Sequence, residues 1–260
     1  MSGIPFDEYQ ALFRMGLVSL LFIVIMVLSR RRRLGIDREF GIALIKGGSQ
    51  LAVVAVLLTL IFVSPLWPLW TLMLLPAMIL IGGRTSARRA PGMPHPGRIT
   101  TSSIALGSGL VLGFLFLTGA IPPAPQFIIP LAGMAIGNSM IICSLTLDRL
   151  IREARMNRAV LEASLALGAS SEQSIAPYEE LSIRSSLIPM LDSLKTLGII
   201  FIPGAMTGLI LAGTSPIVAA EYQIIVYFMI VGGGIITSMT AATLARKRLF
   251  TNACQVEAWI

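Results

Sequence analysis

Charged residues in this chain fall into clusters, and the stretches between them are almost entirely apolar. Seven such stretches cover about residues 9–29, 41–63, 66–83, 99–120, 127–147, 187–212 and 222–245. A helix rises about 1.5 Å per residue, so each is long enough to cross roughly 30 Å of hydrocarbon. None alternates apolar and polar residues as a barrel strand must, which leaves the helix as the form that satisfies every backbone group in lipid. The pattern predicts an all-α, polytopic integral membrane protein whose residues 1–260 make one transmembrane domain. The longest polar stretch, 148–186, is itself patterned. Residues 149–167 continue the fifth span as a helix, and Gly168 stops it. Ser170-Ser171-Glu172-Gln173 has the form of a capping box that opens a short helix. Pro177 ends that helix and begins another, with Glu179 and Glu180 near its positive end.

Composition and charge add an orientation. Of 260 residues, 55% are hydrophobic and 13% charged, with a mean hydropathy of +0.83; soluble domains are about a quarter charged. A net charge of +7 would suit nucleic acid in a soluble chain, but here the basic residues sort to one side. Those after spans one, three, five and seven are Arg30, Arg31, Arg32, Arg33 and Arg38; Arg84, Arg88, Arg89 and Arg98; Arg149, Arg152, Arg155, Arg158 and Arg184; and Arg246, Lys247 and Arg248. They make 17 of the 20. Lys46 and Lys195 can snorkel to the same face, and only Arg14 is left for the other. The positive-inside rule then places the N-terminus outside, the C-terminus and the 148–186 segment in the cytoplasm, and requires an odd number of spans. The expected partner is membrane lipid, not nucleic acid. The outer connections, Ser64-Pro65, 121–126 and 213–220, are short and uncharged. Asp7 and Glu8 before the first span and the Arg run after it read as a retained anchor, not a cleaved signal. Cys143 and Cys254 make no disulfide framework.

Within the cytoplasmic segment, Glu162-Ala163-Ser164-Leu165-Ala166-Leu167-Gly168-Ala169 resembles the Glu-Ala…Gly signature of ABC-transporter permeases. It departs in its tail, since importers place Leu-Pro soon after the Gly and here Ile188-Pro189 comes later. Together with Gly137-Asn138-Ser139-Met140, Leu147-Asp148-Arg149-Leu150, Ile188-Pro189-Met190-Leu191-Asp192-Ser193, Pro203-Gly204-Ala205-Met206-Thr207-Gly208 and Tyr222-Gln223, the chain is similar to the FetB-like family of ABC permeases. Those are bacterial iron exporters of the inner (plasma) membrane, with plant relatives in aluminium tolerance. The resemblance implies a permease subunit and not an enzyme, working as a homodimer with a separate ATPase. Glu162, Ala163, Gly168, Ala169 and Ser170 would form the coupling helix that docks on that ATPase. ATP and magnesium would bind the partner and no cofactor this chain, which agrees with the lack of a G-x-x-x-x-G-K-[ST] loop. An organic solute such as a nucleotide sugar is the alternative cargo. An ATP-independent channel or a membrane scaffold is the reading from outside the class.

Polar residues inside the apolar stretches need a reason. Asn138 and Ser139, mid-span five, either line a solute path or make an interhelical hydrogen bond of roughly 0.6–2 kcal/mol. Gln50, a turn deeper than Lys46, is a candidate for a cavity wall. Asp192 and Lys195, three apart, suit a structural ion pair near the start of span six. Glu221 and Tyr222 fall at the outer mouth of span seven, where a carboxylate could hold a departing cation or simply open a helix. Pro203-Gly204 predicts a kink or unwound segment in span six, and Gly232-Gly233-Gly234 the same in span seven. The pairs Gly133/Gly137, Gly204/Gly208 and Gly109/Gly113 suit close helix packing instead. No metal-ligand set is legible: His95 stands alone, and Met134, Met140, Met190, Met206 and Met229 suit packing at least as well as soft coordination.

Overall fold

A computed structural model describes residues 8–32, 35, 37–251 and 253–260, without the side chains of 8–15, 18, 19 and 37–39. Asp7 and Arg33, and the side chains of Glu8, Arg14 and Arg38, therefore lie outside the described residues. The described chain is helical: α1 (Glu8–Arg31), α2 (Asp37–Val63), α3 (Trp67–Ala87), α4 (Pro96–Leu117), α5 (Pro125–Met156), α6 (Arg158–Ala166), α7 (Ser171–Lys195), α8 (Gly204–Leu211) and α9 (Pro216–Arg246). Among the described residues the only extended pairings are two isolated bridges, Leu197 with Phe201 and Phe250 with Val256.

Two compact units divide the chain, Met1–Ser64 and Pro65–Ile260. In the first, Phe22 of α1 stacks on Phe40 of α2 with ring centroids 5.5 Å apart. α2 carries exposed Leu51, Val53, Val56 and Leu60, an apolar surface suited to lipid and not to water.

In the second unit α9 is the spine, packed on α4, α5, α7 and α8, while α5 also meets α3, α4 and α7. The closest approach is at Gly107 of α4, where a Cβ would collide with Thr237 Oγ1 and lie 2.5 Å from the Gly233 carbonyl oxygen of α9. A Cβ on Gly233 would sit 3.5 Å from Ser139 Oγ of α5, and one on Gly234 3.2 Å from the Met190 methyl of α7. Small residues let backbones meet, and in lipid van der Waals packing of this kind replaces the hydrophobic force as the glue. Hydroxyl bonds cross three other seams, α3–α4, α3–α5 and α5–α7. Thr100 donates to the Gly83 carbonyl at 2.7 Å, Ser144 to Ser86 Oγ at 3.1 Å, and Thr146 to Ser186 Oγ at 2.9 Å.

Among the described residues, five helices are long and apolar enough to cross a membrane: Phe40–Val63, Trp67–Ala87, Pro96–Leu117, Pro125–Met156 and Pro216–Arg246. The first predicted span coincides with α1. The sixth is not one helix: α7 stops at Lys195, residues 196–203 are irregular, and α8 resumes at Gly204.

Three expectations are corrected. The helix break at Pro177 does not occur, because α7 runs through both Pro177 and Pro189. Ser174, Ile175, Ser182 and Ser186 are buried along α7, and that packing outweighs the lost hydrogen bond of each proline. The expected unwinding at Gly232-Gly233-Gly234 is absent, since α9 is continuous there and the glycines serve the seams with α4, α5 and α7. Finally, of the small-residue pairs, only Gly133 has a neighbour in Cβ contact (Met78, 3.5 Å); Gly109, Gly113, Gly137, Gly204 and Gly208 face open space within this chain.

Candidate functional site

Two chain-reversal devices stand back to back between α6 and α7. At the end of α6, Gly168 N–H donates to the Leu165 carbonyl (3.0 Å) and Ala169 N–H to the Ser164 carbonyl (3.1 Å), with Gly168 at φ +91°. This is the full Schellman pattern, and a side chain in that left-handed conformation costs about 1–2 kcal/mol. One residue later the capping box forms as its spacing predicts: Gln173 N–H donates to Ser170 Oγ (3.1 Å) and Ser170 N–H to Gln173 Oε1 (2.9 Å). Both helix ends are thus satisfied within the turn, which fixes a stiff elbow.

Glu162, Ala163, Gly168 and Ser170 are exposed on this elbow and Ala169 is half-buried. Glu162 pairs with Arg158 at 2.8 Å, Leu161 is buried beneath, and Leu167 at the tip is 90% exposed. Behind the elbow, Arg246 of α9 reaches Glu172 at 2.8 Å and Glu179 at 3.3 Å, bracing α7 two turns apart on either side of Pro177. α7 in turn packs on both α5 and α9. α5 itself does not continue unbroken to 167. It ends at Met156, and Asn157 Nδ2 donates to the Glu153 carbonyl at 2.9 Å, so the joint with α6 is a distinct bend.

α7 carries a charge pair inward. Lys195 Nζ donates to Asp192 Oδ1 at 3.1 Å, and both side chains are more than half exposed. Their depth follows from the seams. Ser186 meets Thr146, two residues from Asp148 at the polar end of span five, so Asp192 and Lys195 lie about 12–17 Å beyond that level. Met190 meets Gly234, twelve residues from Arg246, which puts the pair about 20–25 Å from the basic end of α9. Either measure sets the pair two or more turns in from the polar ends of α5 and α9 along the helix axes.

Beyond it the chain unwinds, with the donors of 197–201 paired inside the segment. Leu197 N–H donates to Leu194; Ile199, Ile200 and Phe201 N–H all donate to the Thr196 carbonyl; Gly198 N–H donates to Phe201 at 2.9 Å. Pro203 is the residue before α8 and Gly204 its first.

The remaining candidates are dispersed. Asn138 is half-buried and spends its Nδ2 on the Met134 carbonyl of its own helix at 2.8 Å. Ser139 is buried with its hydroxyl unpartnered. Glu221 and Tyr222 are not at a helix start: α9 begins at Pro216, because Ser215 accepts from Val218 N–H and proline suits the first helical position. Glu221 is exposed and Tyr222 half-buried. Gln50 belongs to the other unit, exposed on α2. Among the described residues no group of three or more His, Cys, Asp and Glu comes together.

Two residues escaped the sequence. Gln223 is 4% exposed with Oε1 unpartnered, and Thr237 is fully buried with Oγ1 unpartnered. Such orphans are rare in folded proteins. Gln223 interrupts an apolar run and could have been noticed. Thr237 is one hydroxyl among several near the end of α9, and only the Gly107 contact distinguishes it.

The family described as "Uncharacterised protein family (UPF0014)" matches residues 12–250. The chain belongs to the UPF0014 family. It is 35% identical to the UPF0014 membrane protein STAR2 of rice, over 88% of this chain and 80% of that protein. It is 32% identical to the protein ALUMINUM SENSITIVE 3 of Arabidopsis thaliana, over 97% and 94%. To the probable iron export permease protein FetB of Escherichia coli it is 30% identical over 93% of each chain. No solved structure matches it. This UPF0014 protein is thus a multi-pass, all-helical membrane protein with permease relatives.

Proposed function

We propose that this UPF0014 chain is the permease subunit of an ATP-driven ABC exporter in the cell inner (plasma) membrane, moving iron or another metal ion out of the cytoplasm. What carries the proposal is its likeness to a protein named as a probable iron export permease over 93% of both chains. The sequence holds no phosphate loop, so ATP and magnesium belong to a separate ATPase, and two copies of each subunit make the assembly. Seven crossings with the N-terminus outside follow from the basic residues, α7 and α8 together supplying the sixth. The ATPase takes up the Leu167 tip, and nucleotide-driven movement of the elbow shifts α7 against α5 and α9. The irregular 196–203 segment absorbs that shift, and Asp192, Lys195, Ser139 and Gln223 border the path it opens, since charges at this depth do not face lipid.

A single specific observation favours the alternative cargo. With no three-ligand group among the described residues, an organic solute such as a nucleotide sugar needs less of this chain than a dehydrated metal does.

Reconstitution with the cognate ATPase in liposomes tests the coupling. Gly168→Val and Glu162→Gln should leave assembly intact while ATP-dependent export falls about tenfold or more, the cost of about 1.4 kcal/mol in a coupled step. Full export by both variants, or export by the permease alone, would refute it. Iron content of cells with and without the protein separates the two cargoes.

A further inference from the structure

One crevice in the Pro65–Ile260 unit has no part in that path. It has a volume of about 600 Å³ and lies between α3 and α4, lined by Leu80, Arg84, His95, Gly97, Arg98, Thr101, Ser102 and Ala105. We propose that it binds the phosphate headgroup of an anionic membrane lipid.

The crevice is cationic at one end and apolar at the other. Arg84 stands in the last turn of α3 and Arg98 in the first turn of α4, both exposed, and neither pairs with a carboxylate among the described residues. No acidic side chain lines the crevice. The Gly97 N–H belongs to the first helical turn, whose donors have no partner within the helix and favour an anion. Position is fixed from below: Thr100 donates to the Gly83 carbonyl at 2.7 Å, and a Cβ on Gly83 would collide with Thr101. The two helices touch there, so the crevice flanks a close crossing and takes one arginine of its lining from each helix.

The apolar end decides between a lipid and free phosphate. Leu80 and Ala105 form it, and the same face of α4 continues past exposed Leu106 to Gly109 and Gly113, where a Cβ would meet nothing within 4 Å. From Arg98, positions four, seven, eleven and fifteen residues on share one helix face. Headgroup charge, glycerol-level hydroxyls and a smooth apolar trough therefore follow one another down α4 in the order a phospholipid presents them. A soluble anion has no use for the lower half.

Native mass spectrometry of the full chain in mild detergent tests this, with phosphatidylglycerol, phosphatidylcholine and inorganic phosphate as separate titrants. Wild type should retain phosphatidylglycerol, and Arg84→Gln/Arg98→Gln should bind it about thirtyfold more weakly, two cations at about 1 kcal/mol each. Lys247→Gln/Arg248→Gln, which removes the same charge from the end of α9, should bind as wild type. Each single arginine variant should lose about fivefold, which keeps the comparison open if the double variant does not fold. Equal retention by the arginine variants and the Lys247/Arg248 control, equal binding of phosphatidylcholine, or saturation by inorganic phosphate would each overturn the proposal.

Discussion

Arg246 holds α7 to α9, and the geometry sets how much its loss should cost. Its side chain is 21% exposed and reaches two carboxylates that differ in burial: Glu172 is 69% exposed and Glu179 12%. The open Glu172 pair is worth about 0–1 kcal/mol. At 3.3 Å, the Glu179 pair has a gross Coulomb attraction of about 5 kcal/mol at an effective dielectric near 20, most of it offset by desolvation. Arg246→Gln leaves the Glu179 carboxylate buried without a partner, which costs about 3–5 kcal/mol in a dry interior. Residual exposure reduces this, so the expected loss is about 2–3 kcal/mol. Glu172→Gln should cost under about 1 kcal/mol. The assay is a double-mutant cycle of Arg246→Gln and Glu179→Gln, read by thermal unfolding of the purified protein in detergent. The cycle should return a coupling of about 1–2 kcal/mol; the double variant should then be more stable than the summed single losses predict. Moderate salt should weaken the Glu172 contribution more than that of Glu179. A coupling near zero, or an Arg246→Gln loss no larger than that of Glu172→Gln, would refute the claim that a half-buried clamp holds α7 across Pro177.

Gly107→Ala should destabilise the bundle by about 1–3 kcal/mol, because the added methyl meets α9 backbone and not a flexible side chain. Gly109→Ala, two residues away on an open face, should lower the unfolding temperature little or not at all, and equal effects at both positions would refute the α4–α9 seam. If Asp192 and Lys195 border an aqueous path, Ser193→Cys in a Cys254→Ser background should react with a membrane-impermeant thiol reagent, while buried Cys143 stays unmodified. Asp192→Asn should also cut export about tenfold or more, leaving a lone ammonium at depth. Failure of the Ser193→Cys variant to react, together with full export by Asp192→Asn/Lys195→Met, would remove the path from this face.

Much of the elbow was legible because its signals are local. Gly168, Ser170 and Gln173 act through bonds to residues within five positions, so spacing alone specifies the stop and the start. Helix continuity through Pro177 was not legible, since the local rule favours a break and the burial that overrides it comes from α5 and α9. The same holds for Gly233. As a residue type it suits a hinge or a seam equally, and the Gly107 carbonyl and Ser139 hydroxyl opposite it select the seam. The start of α9 was missed for another reason: Ser215-Pro216 is a clear local signal, obscured by the apolar run that hydropathy sets further along.

The sequence by itself determined that this protein lives in a bilayer as helices, and where the chain turns between α6 and α7. Those properties depend on transfer of side chains from water and on hydrogen bonds between near neighbours, both written into consecutive residues. Only the tertiary structure decided which residues Asp192 and Lys195 lie beside, which glycines are contacts, and that Gln223 and Thr237 are buried with an unpartnered oxygen. Burial is set by which helix lies opposite, and that is a property of residues 40 or more positions apart.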